Sequence, residues 1–130
     1  MARTRIVVTS TLACLALAVP FTGTASAAPG KTELVLSTHE QTGTLGSAQL
    51  RCDPPSGSHG KAGEACRDLA AADGDFTKLP GDPNVQSCTM ELRPVTVSAQ
   101  GNWRGKPVTF SKEYPNRCVL QAETGPVFAF

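Results

Sequence analysis

Gly63-Glu64-Ala65-Cys66-Arg67-Asp68-Leu69-Ala70-Ala71 is the one stretch of this chain with a good helical pattern. Ala65, Leu69 and Ala72 recur at i, i+4 and i+7, which puts them on one stripe with Cys66 beside it. The spacing predicts a helix from Glu64 to about Ala72. Asp73-Gly74-Asp75 should stop it, and Asp75 is suited to cap a short turn through Phe76 to Leu79, ahead of Pro80-Gly81.

On both sides of this helix the pattern turns to alternation. Glu33-Leu34-Val35-Leu36-Ser37-Thr38 and Ala48-Gln49-Leu50-Arg51-Cys52 read as strands, and the Pro- and Gly-rich stretch Asp53 to Gly60 as a loop. Pro80 to Gln86 is another loop. Downstream, Val95, Val97 and Ala99 share one face of a strand. Gln100-Gly101-Asn102 is expected to turn the chain into a strand from Pro107 to Tyr114, with Val108 and Phe110 inward. Pro115-Asn116-Arg117 reads as a further turn. Cys118 to Ala122 and Val127 to Phe130 are the last strand candidates. Trp103, Phe110, Phe128 and Phe130 are assigned to the core. The expected class is α+β: a five-stranded antiparallel sheet with one or two short helices and two disulfides.

The start of the chain speaks for export. Arg3 and Arg5 precede an apolar run from Ile6 to Pro20, and small residues lead to Ala25-Ser26-Ala27. Those are the three parts of a secretory signal, so residues 1–27 are expected to be a signal peptide and 28–130 the working domain. The apolar run falls short of the roughly 20 residues a membrane-spanning helix needs. Without Arg3 and Arg5 the 12 basic residues become 10, against 11 acidic ones. That balance offers no basic stripe for nucleic acid and no basic amphipathic helix for a membrane surface. The expected location is extracellular.

Cys14 would leave with the signal, so four cysteines remain: Cys52, Cys66, Cys88 and Cys118. An even number in a small exported domain reads as two disulfides, and the residues alone leave three pairings open. The sequential pairing would close loops of about 15 and 31 residues, each stabilising by roughly 3–4 kcal/mol in the chain-entropy account. No close C-x-x-C pair suggests zinc, and neither metal nor cofactor is expected.

Signs of catalysis are thin. His39 and His59 both sit in polar, turn-rich stretches and read as surface histidines. There is no H-E-x-x-H and no G-x-S-x-G. Ser58 beside His59 lies in a Gly-rich loop, where adjacent residues do not make a triad. Asp73 and Asp75 flank a helix end, where capping explains them. The chain is not expected to be an enzyme.

Cys88-Thr89-Met90-Glu91-Leu92 suggests a different activity. A tethering cysteine stands two residues before an exposed-looking, unbranched apolar side chain. Proteases read extended peptide, and a loop tied down beside its reading frame can be bound without being released. Methionine is adaptable enough to enter a broad apolar pocket.

Gly63 to Ala71, Cys88-Thr89-Met90, Trp103-Arg104-Gly105-Lys106-Pro107-Val108, Asn116-Arg117-Cys118 and the terminal Val127-Phe128-Ala129-Phe130 together resemble the Streptomyces subtilisin inhibitor family. The resemblance implies a five-stranded antiparallel sheet with two helices, the pairings Cys52–Cys66 and Cys88–Cys118, and a homodimer packed sheet to sheet. It also implies substrate-like inhibition of subtilisin-like serine proteases, with chymotrypsin-like ones as further partners. By position, Met90 is the residue for the protease's primary pocket and Met90–Glu91 the reactive bond. The binding loop is then Ser87, Cys88, Thr89, Met90, Glu91 and Leu92. Two positions depart from the family: Ser87 replaces a larger apolar residue, and Glu91 puts a charge on the leaving-group side. The competing expectation is a secreted binding protein or cross-linking substrate on the same fold, with Lys31, Gln41, Gln49 and Lys61 as available amines and amides. A small secreted hydrolase is a third.

Overall fold

The computed structural model describes residues 30–130, so the expected signal peptide lies outside the described residues. Five strands form one antiparallel sheet: β1 (Thr32–Glu40), β2 (Gly43–Cys52), β3 (Ser56–Gly57), β4 (Val95–Trp103) and β5 (Lys106–Tyr114). Their spatial order is β3-β2-β1-β4-β5. Two helices follow the sheet's two halves: α1 (Ala62–Ala71) after β3 and α2 (Arg117–Thr124) after β5.

Alternation along the strands divides the sheet into two faces. Leu34, Leu36, Leu50, Val95, Val97 and Ala99 point inward and are buried. Against them pack Ala65 and Leu69 of α1, Leu120 of α2, and Val127 and Phe128 near the chain end. Phe76 closes the core, stacking on Phe110 at 5.2 Å. Cys52–Cys66 joins β2 to α1 inside this core, with both cysteines buried.

The helix α1 carries the expected stripe and stop. Asp73 and Gly74 take left-handed φ values of 51° and 75°, and the Gly74 N–H donates to the Leu69 carbonyl at 2.8 Å. A side chain at Gly74 would run into the Trp103 ring, 2.3 Å from a Cβ, so glycine is required there. Asp75 caps the next 3-10 turn (Phe76–Lys78), accepting from the Thr77 N–H at 2.9 Å.

Several expectations are corrected. Cys118 to Ala122 is not a strand but most of α2, because Asn116 caps it: its side-chain oxygen accepts from the Val119 N–H at 2.9 Å. Val127 to Phe130 is not a strand either. Gly125 (φ 54°) and Pro126 turn the chain out of α2 into a 3-10 turn, Gly125–Phe128, whose Val127 and Phe128 plug the core. Gln100-Gly101-Asn102 lies within β4, and the hairpin turns instead at Arg104-Gly105, both at positive φ (47° and 83°). Two left-handed central residues match the twist of a tight hairpin. The segment from Asp53 to Gly60 contains the short β3. Phe130 is a partly exposed end rather than core.

His59 is also corrected, being buried rather than on the surface. Its Nδ1 accepts from the Lys61 N–H at 3.0 Å, so its Nε2–H donates to the Val127 carbonyl, also at 3.0 Å. The ring thus ties the chain end to the start of α1.

Candidate functional site

Residues 79–94, between the 3-10 turn and β4, form no helix or strand, yet they are fastened at several points. At the base, Gly81 is buried with φ 76°, and a Cβ there would lie 2.2 Å from the Ala122 carbonyl oxygen of α2. The Asp82 N–H donates to that same carbonyl at 3.0 Å. The Asp82 carboxylate accepts from the Asn84 N–H at 2.9 Å and from Gln121 Nε2 of α2 at 3.0 Å. These bonds, the one from the Asn84 backbone first, hold its pKa below the usual carboxylate range. Further along, Cys88–Cys118 ties the loop to the first turn of α2, with Cα atoms 5.6 Å apart.

At the tip Met90 is 97 % exposed and Leu92 76 % exposed. Beneath them lies Asn116, which is buried. Its Nδ2 donates to the carbonyl oxygens of Thr89 at 3.1 Å and of Glu91 at 2.8 Å, one on each side of Met90. One amide therefore holds both carbonyls flanking the exposed side chain while its oxygen caps α2. After the tip the Arg93 N–H donates to the Pro115 carbonyl at 2.8 Å. The Glu91 carboxylate meets Arg93 Nε at 3.0 Å, both side chains being exposed.

The loop residues named from the sequence thus fall together. Ser87, Thr89, Met90, Glu91 and Leu92 are exposed and Cys88 is half-buried at the tether. The supporting groups were missed: Asn116, Gly81, Asp82, Arg93 and α2 as a whole. The available signal was an asparagine one residue ahead of the short apolar run Cys118-Val119-Leu120, a helix-start pattern that a turn reading of Pro115-Asn116-Arg117 passes over. Among the described residues no cluster of His, Cys, Asp and Glu is arranged to hold a metal, and no helix is long and apolar enough to cross a membrane.

An antiparallel sheet that presents one clamped, outward-facing loop beside a disulfide defines a small stapled recognition domain. Such a loop suits partners that read extended peptide. The chain belongs to the subtilisin inhibitor-like family, whose model matches residues 28–116.

Among its relatives, the subtilisin inhibitor of Streptomyces albogriseolus is 37% identical over 127 residues, spanning 87% of this chain and 88% of that protein. The subtilase-type protease inhibitor of Streptomyces coelicolor is 37% identical over 124 residues, covering 92% of this chain and 85% of its own length. A Streptomyces avermitilis protein is 48% identical over 83 residues, and there the chain spans only 55% of the relative. Among solved structures, Streptomyces caespitosus sermetstatin, crystallised in complex with Bacillus licheniformis subtilisin, superposes with a TM-score of 0.63 at 31% identity. That match covers 78% of this chain and all of sermetstatin. The pairing Cys52–Cys66 and Cys88–Cys118 is the one the resemblance implied.

Proposed function

We propose that the protein inhibits subtilisin-like serine proteases in the manner of a bound substrate, with Met90 in the primary pocket and Met90–Glu91 as the reactive bond. The observation that carries this reading is the pair of hydrogen bonds that the Asn116 side-chain N–H group donates to the Thr89 and Glu91 carbonyls, under a Met90 that is 97 % exposed. The segment from Ser87 to Leu92 pairs with the enzyme as an added strand. Main-chain hydrogen bonds give affinity there, and Met90 gives selectivity. Because disulfide and amide already hold the loop, little ordering remains to oppose binding. If the bond is cut, Cys88–Cys118 and Asn116 keep both new ends in place, and religation competes with release.

Export through a signal ending at Ala27 belongs to the same proposal, supported by two disulfides that suit an oxidising compartment. So does a homodimer through the sheet's outer face. Helices leave that face open, and cross-strand register lines up Ser47, Ser37, Ser98 and Ser111 beside Val35, which is 50 % exposed. The small serine side chains let a second copy approach that part of the face closely.

The test is a titration of fixed amounts of subtilisin, chymotrypsin and trypsin with the mature domain. Stoichiometric loss of subtilisin activity is expected, with trypsin the weakest target because Met90 carries no charge. Met90→Lys should move potency toward trypsin by at least about tenfold with folding unchanged. Absence of any effect on serine proteases, or potency indifferent to residue 90, overturns the reading.

A further inference from the structure

We infer that Met90 is also an oxidation switch: conversion of its thioether to the sulfoxide by a peroxide weakens the inhibitor, reversibly. The inference rests on the reading of Met90 as the residue that enters the protease pocket.

Three features of the molecule single out this sulfur. Met90 is the only methionine besides Met1, which lies in the proposed signal. It is 97 % exposed, and its main chain is pinned from below by Asn116, so the side chain cannot retreat with the backbone. The domain has no competing thiol, since Cys52, Cys66, Cys88 and Cys118 are all in disulfides. The indole of Trp103 and the phenol of Tyr114 are shielded, both residues being 2 % exposed. An oxidant meeting the folded domain therefore finds one soft, open atom, and it is the atom the proposed function needs.

The chemistry is a two-electron oxygen transfer. The sulfur lone pair attacks one peroxide oxygen, the O–O bond breaks, and an S–O bond forms. The remaining oxygen leaves as water, so the peroxide is reduced while the thioether is oxidised. The product is polar and chiral where the pocket expects an adaptable apolar chain, and a thiol-dependent sulfoxide reductase reverses it. Placing an unpartnered polar oxygen in an apolar pocket should weaken inhibition roughly 10- to 100-fold. The fold should not notice, because Met90 makes no core contact.

The experiment treats the mature domain with hydrogen peroxide, removes the peroxide with catalase, and only then adds subtilisin. Each protein is compared with its own untreated sample. The wild type should gain one oxygen atom at Met90, lose potency by that factor with its melting curve unchanged, and recover after sulfoxide reductase treatment. Met90→Leu should keep whatever potency it starts with. The inference is overturned if Met90 resists peroxide, if the fully oxidised wild type inhibits as before, or if Met90→Leu loses potency equally. An untreated wild type that does not inhibit condemns the underlying reading as well, so the two failures are distinguishable.

Discussion

The two helices of this domain have similar lengths and each is bound by a disulfide, yet they serve different ends. The helix α1 is tied by Cys52–Cys66 inside the core, and its Ala65 and Leu69 are fully buried against the sheet. The helix α2 packs Leu120 inward, and several groups at its start and along it reach toward residues 79–94. Its cap, its first-turn cysteine, Gln121 and the carbonyl of Ala122 all hold that segment. Stability is concentrated around α1 and loop geometry around α2. A domain built this way can vary the exposed tip without disturbing its core, because the tip makes almost no core contacts of its own.

The sharpest way to break this comparison is Leu69→Ala. It removes a fully buried side chain of α1 and should cost about 2–5 kcal/mol of stability, read as a fall in melting temperature. Potency per folded molecule should stay near that of the wild type. A large loss of potency in the folded fraction would show that the two regions are not separate. The converse is Asn116→Ala. Losing the helix cap should cost about 1 kcal/mol of stability. Losing both carbonyl bonds should turn a slowly cut inhibitor into a rapidly cut substrate, measured as the rate of loop cleavage by subtilisin.

The smallest expected effect is at Asp82. Its depressed pKa means that the folded state favours the carboxylate. The stabilisation is therefore fully present above about pH 4 and lost as pH falls through the depressed value. Asp82→Asn should flatten the acid side of the pH–stability curve and speed nicking of residues 79–94 at neutral pH. An unchanged acid limb would remove Asp82 from the loop's base.

The same contrast explains what the amino-acid sequence made legible. The helix α1 announces itself: a stripe at i, i+4 and i+7 is closed by Asp73-Gly74, and the stop is steric because only glycine fits against Trp103. The helix α2 has eight residues, too few to display a period, and its Val119 and Leu120 suit a strand equally well. What makes it helical is the Asn116 cap and the burial of Leu120 and Thr124, which depend on the folded neighbourhood. Gly101 misleads for a similar reason. It reads as a turn residue, but its missing side chain makes room for the Glu33 carbonyl of the adjacent strand, 2.1 Å from where a Cβ would stand. His59 looks exposed among prolines and glycines and is buried by the returning chain end, a long-range contact no local pattern records. The exposed loop was legible as residues, through its tether and its methionine. Its support was not, because Asn116 and Asp82 act across the fold.

Inhibition in the manner of a bound substrate depends most on where the chain yields. Prolonged incubation of the mature domain with a trace of subtilisin, followed by mass analysis before and after disulfide reduction, tests it directly. The expected result is one cut, between Met90 and Glu91, with the halves joined until Cys88–Cys118 is reduced and intact chain persisting beside cleaved chain. Cleavage first at another bond, or rapid digestion of the whole loop, would contradict it.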